Sequence, residues 1–262
     1  ALSGGTLNGL VGTQTLGFDA IGNFVDKHAG VGKAVTVAGV TLSNGSGLAQ
    51  NYTVSQPAGL SGDISKAVIS GISGLTAVSK VYNGNTDAAL SSLGATINGK
   101  VSGDDVVLAS AASEFTNKNA GNDKTVLISN ITLSGSDLGN YTFVNNTATA
   151  TASITPKALA IIGMSVVDKV YDGRLSATLS GGSLSGLVGN ETLGVTGLTA
   201  TFADKNVGTD KVVTASGTTL VNGGNGGLAS NYSLANPTGW TADITAKTLT
   251  VSGITANSKI YD

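Results

Sequence analysis

The sequence predicts an all-β protein made of tandem small antiparallel β-sandwich domains, Ig-like or β-grasp-like, joined by short linkers into a rod. Three observations predict it. The chain repeats itself about every 90 residues, apolar and small polar residues alternate within each copy, and turn-forming glycine is abundant, with 38 in 262 residues.

The repeat is read first, because it fixes the organisation of everything else. Phe24-Val-Asp-Lys-His-Ala-Gly30, Phe115-Thr-Asn-Lys-Asn-Ala-Gly121 and Phe202-Ala-Asp-Lys-Asn-Val-Gly208 carry one signature, each followed by a lysine at Lys33, Lys124 or Lys211. Asn51-Tyr52, Asn140-Tyr141 and Asn231-Tyr232 come next, with Leu48, Leu138 and Leu228 just upstream. Ile64, Ile154 and Ile244 follow, then Lys66, Lys157 and Lys247. Lys80-Val-Tyr-Asn-Gly84, Lys169-Val-Tyr-Asp-Gly173 and Lys259-Ile-Tyr-Asp262 complete the pattern, with their tyrosines 89 and 90 residues apart.

This period divides the chain into four segments. Residues 1–65 form a partial unit lacking its first strands, 66–156 and 157–246 are complete units, and 247–262 supply the first strands of a further unit. The ends are out of phase with the repeat, as expected of a window on a longer array.

Within a unit the elements read as strands. Lys157-Ala-Leu-Ala-Ile-Ile162 is a short apolar run, and Ser165 to Tyr171 is a second. Thr199 to Ala203, Lys211 to Ser216, Asn231 to Ala235 and Trp240 to Thr245 alternate in the two-residue period of a half-buried strand. Gly, Asn and Asp clusters at 186–190, 206–210 and 222–227 supply turns. No segment carries a sustained helical stripe with caps. The junctions Asp63-Ile-Ser-Lys66, Ser153-Ile-Thr-Pro-Lys157 and Asp243-Ile-Thr-Ala-Lys247 contain no Gly/Ser tether. One unit's last strand is therefore expected to run almost directly into the next unit's first, and three units in series would span on the order of 90 Å.

Composition narrows the function. Only 11% of residues are charged and the net charge is −2; thirteen lysines and one arginine face sixteen acids, so no basic nucleic-acid surface is expected. The absence of cysteine excludes disulfides and thiol chemistry. The longest apolar stretch, 158–167, is far short of the roughly 20 residues of a membrane-spanning helix.

Lys169-Val-Tyr-Asp-Gly173, Phe202-Ala-Asp-Lys-Asn-Val-Gly208, Asn231-Tyr232 and Ile244-Thr-Ala-Lys247 together resemble the YDG-type repeat of large bacterial secreted adhesins similar to filamentous haemagglutinin. The second unit departs from it at Asn83 and Asn117, and its Asn140-Tyr141 follows Leu-Gly. The resemblance implies an extracellular, cell-surface location and a β-rich stalk, with no catalytic residues and no cofactor to carry over.

Individual residues weigh the same way. The repeat markers Phe24, Phe115, Phe202, Tyr52, Tyr141, Tyr232, Tyr82, Tyr171 and Tyr261 occupy equivalent positions and read as core. Phe18, Phe143 and Trp240 stand where sister units have aliphatic residues, which again favours core over a sugar-stacking platform. His28 is replaced by Asn119 and Asn206 and reads as a loop residue; Arg174 reads as a solvated charge. Asp104-Asp105, Asp26 and Asp204 are the carboxylates that could offer oxygen ligands to calcium, although no EF-hand or nonapeptide spacing surrounds them. Asp172 is expected to accept hydrogen bonds from turn amides. Glu114 and Glu191 are the sole glutamates available to a Lys–Asn isopeptide cross-link. Asn51, Asn140 and Asn231 match the N-glycan acceptor pattern.

The expected function is a structural stalk or fibre segment whose partners are neighbouring repeats of the same protein. Continuity is either covalent or a head-to-tail homopolymer, in which Lys247, Leu249, Val251, Ile254 and Tyr261 form a strand-exchange segment. A glycan- or host-binding module is the alternative; its one unusual surface is Thr147-Ala-Thr-Ala-Thr151, and any surface glycan or host ligand would otherwise engage other parts of the parent protein. An enzyme would need a polar constellation peculiar to one unit, and the sequence displays none.

Overall fold

The computed structural model describes residues 2–261. They fall into two compact units, one of residues 2–76, 91–113 and 127–150, the other of 77–90, 114–126 and 151–261. The division lies inside the second repeat. Among the described residues the structure is all-β, with no α-helix and with single 3₁₀ turns at Ala49–Asn51, Leu138–Asn140 and Ala229–Asn231.

The third repeat, in the second unit, shows the architecture in full. Its seven-stranded sheet runs in the order Lys169–Val170, Trp240–Thr245, Gly208–Ser216, Thr199–Phe202, Ser176–Ser185, Lys157–Val167, Tyr232–Leu234. Lys157–Val167 and Lys169–Val170 are separated by Asp168 alone, yet they occupy distant places in that order. The sheet must therefore curl, with one continuous stretch of chain passing from one edge to the other. The Asp168 carboxylate fixes the corner by accepting the Asp243 N–H at 2.7 Å.

Both halves of this stretch pair in parallel, Lys157 with Tyr232 and Lys169 with Ile244, while the pairings among the intervening strands are antiparallel. The sheet is thus mixed, where a purely antiparallel one was expected. The physical reason is topological. Parallel neighbours need a long crossover, and the body of the repeat supplies it between the opening strand and the closing ones. Ala200, Phe202, Val213, Ala242 and Ile244 form the buried core, with Val166, Tyr171, Ala177, Leu179 and Trp240 packed against them.

The second repeat copies these pairings. In the first unit Ala67–Ile69 lies parallel to Tyr141–Phe143, and Ile69, Val106 and Tyr141 are buried with Ile97, Leu133, Leu138 and Phe143 around them. In the second unit Lys80–Val81 lies parallel to Ile154 and Thr155. Among the described residues the first repeat shows the antiparallel body, Leu16–Phe24, Gly30–Asn44 and Leu60–Ile64.

A register shift recurs after the Phe-x-x-Lys motif, between Gly30 and Lys33 and between Gly208 and Lys211. Gly32, Asp123 and Asp210, at equivalent positions of the three repeats, have left-handed backbone, at φ 64°, 48° and 50°. Their N–H groups donate to Asp63, Ser153 and Asp243 side chains, each one residue before the repeat's isoleucine.

Ile154 and Ile244 are each 1% exposed, whereas Ile64, which has no Lys-Val strand beside it, is half-buried. Ile154→Ala and Ile244→Ala should each cost about 2–5 kcal/mol. Ile64→Ala should cost clearly less, read as a smaller shift of the urea unfolding midpoint.

Candidate functional site

Each repeat builds the same local device at Asn-Tyr, preceded by Leu-x-x in the first and third repeats and by Leu-Gly in the second. The 3₁₀ turn ends at the asparagine, and the chain then extends through the tyrosine. That tyrosine's hydroxyl faces a loop of its own repeat. It accepts the N–H of Val11, Val101 or Val188, at 3.2, 3.0 and 3.0 Å. It donates to Gln14 Oε1, Asp104 Oδ2 or Glu191 Oε2, at 2.5, 2.7 and 2.6 Å.

Around this device, consecutive repeats meet. In the second unit Glu191, itself 7% exposed, also accepts the Tyr82 hydroxyl at 2.7 Å and the Lys118 ammonium at 3.0 Å on Oε1. Both donors belong to the preceding repeat. Asn231 is fully buried; its Oδ1 accepts the Ala120 N–H at 2.8 Å, and its Nδ2 donates to Asn119 Oδ1 at 3.2 Å. Tyr82 and Tyr232 meet edge to face with ring centroids 5.3 Å apart. Gly84 has φ 84°, and a Cβ there would lie 2.7 Å from Val188 Cγ1, so both turn geometry and close approach require glycine.

The first unit repeats the arrangement with other residues. Asn140 Oδ1 accepts the Ala29 N–H at 2.9 Å, and its Nδ2 lies 3.3 Å from His28 Nδ1. Asp104 Oδ1 takes the Lys27 ammonium at 2.8 Å, with Asp137 3.5 Å from the same ammonium. Lys27 is largely exposed, so this ion pair contributes little by itself.

Charge follows geometry. Burial raises the Glu191 carboxyl, but the Tyr232, Tyr82 and Lys118 donors together outweigh it and hold the group below its ordinary value. Burial, then the bond to Glu191, pushes the Tyr232 hydroxyl up to about 12. The same two causes raise Tyr82. Lys27 and then Tyr141 lower Asp104. Every polar atom of the cluster named above faces a partner, the condition under which a buried network rigidifies rather than weakens its surroundings.

The repeat markers divide accordingly. Tyr82, Tyr141, Tyr232, Phe115 and Phe202 are buried. The Lys80 and Lys169 ammonium groups lie 5.4 and 5.3 Å from the centroids of the Phe115 and Phe202 rings. Phe24 lacks such a lysine strand and is 39% exposed, contrary to its expected core position. Tyr171 packs on the core of the third repeat, and Tyr52 is half-buried. Residues 246–261 form no strand, and Lys247, Leu249, Val251, Ile254 and Tyr261 are exposed there.

The carboxylates considered as calcium ligands have protein partners. Asp26 takes Lys33 and the His28 N–H, and Asp204 takes Lys211 and the Asn206 N–H. Asp105 accepts the Ser136 N–H and hydroxyl at 2.8 and 3.0 Å. Asp172 accepts the Arg174 N–H and the Lys169 ammonium, both at 2.9 Å. No cluster of three or more His, Asp or Glu side chains suited to a metal occurs among the described residues. Thr147, Thr149 and Thr151 are exposed.

Sequence reading missed the junction itself. The sequence pattern marks Glu191 only as a cross-link candidate, Asn231 only as a strand start and glycan acceptor, and Lys118 only as a letter of the repeat signature. The available signal was positional: Gln14, Asp104 and Glu191 each stand two residues before an apolar position, Leu16, Val106 and Leu193.

Fold and site together define an array of all-β repeats coupled by recurrent polar junctions. The YDG domain family model matches residues 1–59, 66–151 and 155–239, and the chain belongs to that family. Comparison with curated proteins and with solved structures found no match. No helix among the described residues is long and apolar enough to cross a membrane.

Glu191→Ala strands two tyrosine hydroxyls and should cost about 1–3 kcal/mol. Glu191→Gln should cost less, since Gln14 serves Tyr52 in the same way. Because the Glu191 carboxyl is held below its ordinary 4.5, its contribution is full above pH 4.5 and disappears as pH falls through the lower folded value. Tyr232 works oppositely: its contribution is full below pH 10 and disappears as pH rises towards about 12. Thermal unfolding across pH should show both limbs, with the acid limb flattened in Glu191→Gln.

Proposed function

We propose that this chain is a segment of a structural stalk or fibre of a bacterial extracellular, adhesin-like protein, with its repeats packed in tandem as an extended spacer. The observation that carries the reading is the junction built twice from equivalent positions: Asn140 with Ala29 and Lys27 with Asp104, then Asn231 with Ala120 and Lys118 with Glu191. A contact that recurs at each step suits propagation along an array, where stability comes from nearest-neighbour interfaces. Continuity from segment to segment is head to tail, through the covalent chain or through strand exchange.

The rival reading, a glycan- or host-binding module, has the exposed threonines 147, 149 and 151 as its surface. Small-angle scattering on the native chain and on an Asn140→Ala/Asn231→Ala/Glu191→Ala variant tests the stalk. The native chain should give an extended, narrow distance distribution, and the variant a broader one of shorter reach. A compact native particle that binds a glycan array would overturn the stalk.

A further inference from the structure

Six asparagines of the chain precede a glycine: Asn8, Asn44, Asn83, Asn98, Asn222 and Asn225. Glycine carries no Cβ, so its backbone nitrogen can approach the side-chain amide of the asparagine before it. The fold treats the six differently. Asn44 Oδ1 accepts the Ala49 N–H at 2.7 Å, Asn98 Oδ1 the Ser73 hydroxyl at 3.0 Å and Asn222 Oδ1 the Ala229 N–H at 2.8 Å. Asn225 Nδ2 donates to the Asn190 carbonyl at 2.9 Å. The N–H groups of Gly45 and Gly223 are also tied, to the carbonyls of Gly47 and Gly227. Ring closure at any of these four asparagines has to break a good hydrogen bond first.

Asn83 is held far less. It is exposed, and its Oδ1 has only the Asn85 N–H, at 3.3 Å. No hydrogen bond from the Gly84 N–H occurs among the described residues. Asn8 is exposed as well, but Asn83 is the position at which a sister repeat displays the product, Asp172.

That sister turn shows what an acid does there. Lys169 Nζ donates to Asp172 Oδ1 at 2.9 Å and to the Arg174 and Ser176 carbonyls at 2.7 and 3.0 Å. Lys80 makes the matching bonds to the Asn85 and Asp87 carbonyls, at 3.0 and 2.7 Å. Its third acceptor is Asn85 Oδ1 at 2.7 Å, a neutral amide where Lys169 has a carboxylate. Burial pushes the Lys80 ammonium below its ordinary value, opposed only in part by the Asp87 charge. A carboxylate at position 83 supplies the missing charge-assisted bond.

We propose that Asn83 is a self-modification site, at which the Gly84 nitrogen converts the amide into the aspartate seen at Asp172. The Gly84 nitrogen gives up its proton and bonds to Asn83 Cγ. The Cγ–Nδ2 bond breaks, and ammonia leaves carrying that proton. Water then opens the cyclic imide at the new Cγ–N bond, which restores the original main chain and leaves an aspartate. Opening at the other carbonyl would route a lengthened main chain through the side chain. The fold opposes that product: Tyr82 is 1% exposed, and a Cβ on Gly84 would already lie 2.7 Å from Val188 Cγ1.

The test incubates the full chain at mildly alkaline pH in heavy-oxygen water and maps its peptides by mass spectrometry. Position 83 should take up the label as aspartate before Asn44, Asn98, Asn222 and Asn225 react, with isoaspartate the minor product. Asn83→Asp should raise the urea unfolding midpoint above that of the freshly prepared native chain, and Lys80→Gln should remove the gain. The labelling arm needs no variant. An Asn83 amide that outlasts the four held asparagines, isoaspartate as the main product, or an Asn83→Asp midpoint at or below the native one would overturn the proposal.

Discussion

Each complete repeat depends on one parallel pairing, that of its opening strand against the strand that follows Asn-Tyr. Chain direction forces everything else from there. The opening strand must enter beside the end of its own repeat, so the body of the repeat becomes the crossover, and the sheet curls to join its two edges at Asp168. The pairing also sets the tyrosine in place, because Tyr141 and Tyr232 are the first residues of the strands that receive it. Where it is absent, in the first repeat, Tyr52, Phe24 and Ile64 are all less buried than their sisters.

The same tyrosine makes the junction possible. Its hydroxyl orients an acceptor side chain, and that acceptor collects donors from the preceding repeat. Placing Glu191 in a site only 7% exposed would be costly without compensation; two hydroxyls and an ammonium supply it. The second repeat uses the smaller Asp104 with a well-solvated Lys27, so its ion pair is the weaker one. The asparagine Oδ1 contacts, by contrast, are alike at both junctions. Each accepts a backbone N–H from the preceding repeat, that of Ala29 or Ala120, with no charged group in the bond.

Much of the fold was legible in the sequence because the repeat multiplied every local signal. The all-β class followed from alternation at Thr199–Phe202 and Lys211–Ser216, and the burial of Phe115 and Phe202 from their equivalence. Strand direction was not legible: Lys157-Ala-Leu-Ala reads the same whether its neighbour runs parallel or antiparallel. The junction was hidden for a different reason. Its acceptor changes identity from Gln14 to Asp104 to Glu191, and chemistry preserved across three residue types leaves no repeated letter. Asn231 was visible, but its partner Ala120 contributes a backbone N–H, which no side-chain pattern reveals.

Amide hydrogen exchange at three equivalent alanine and valine positions tests the coupling most directly. Ala29 and Ala120 donate to Asn140 and Asn231 of the following repeat, whereas Val207, at the same place in the third repeat, meets no such asparagine among the described residues. Slow exchange at Ala29 and Ala120 beside fast exchange at Val207 is the result the account predicts. Equal rates at all three would mean that the repeats do not hold one another, and would contradict it.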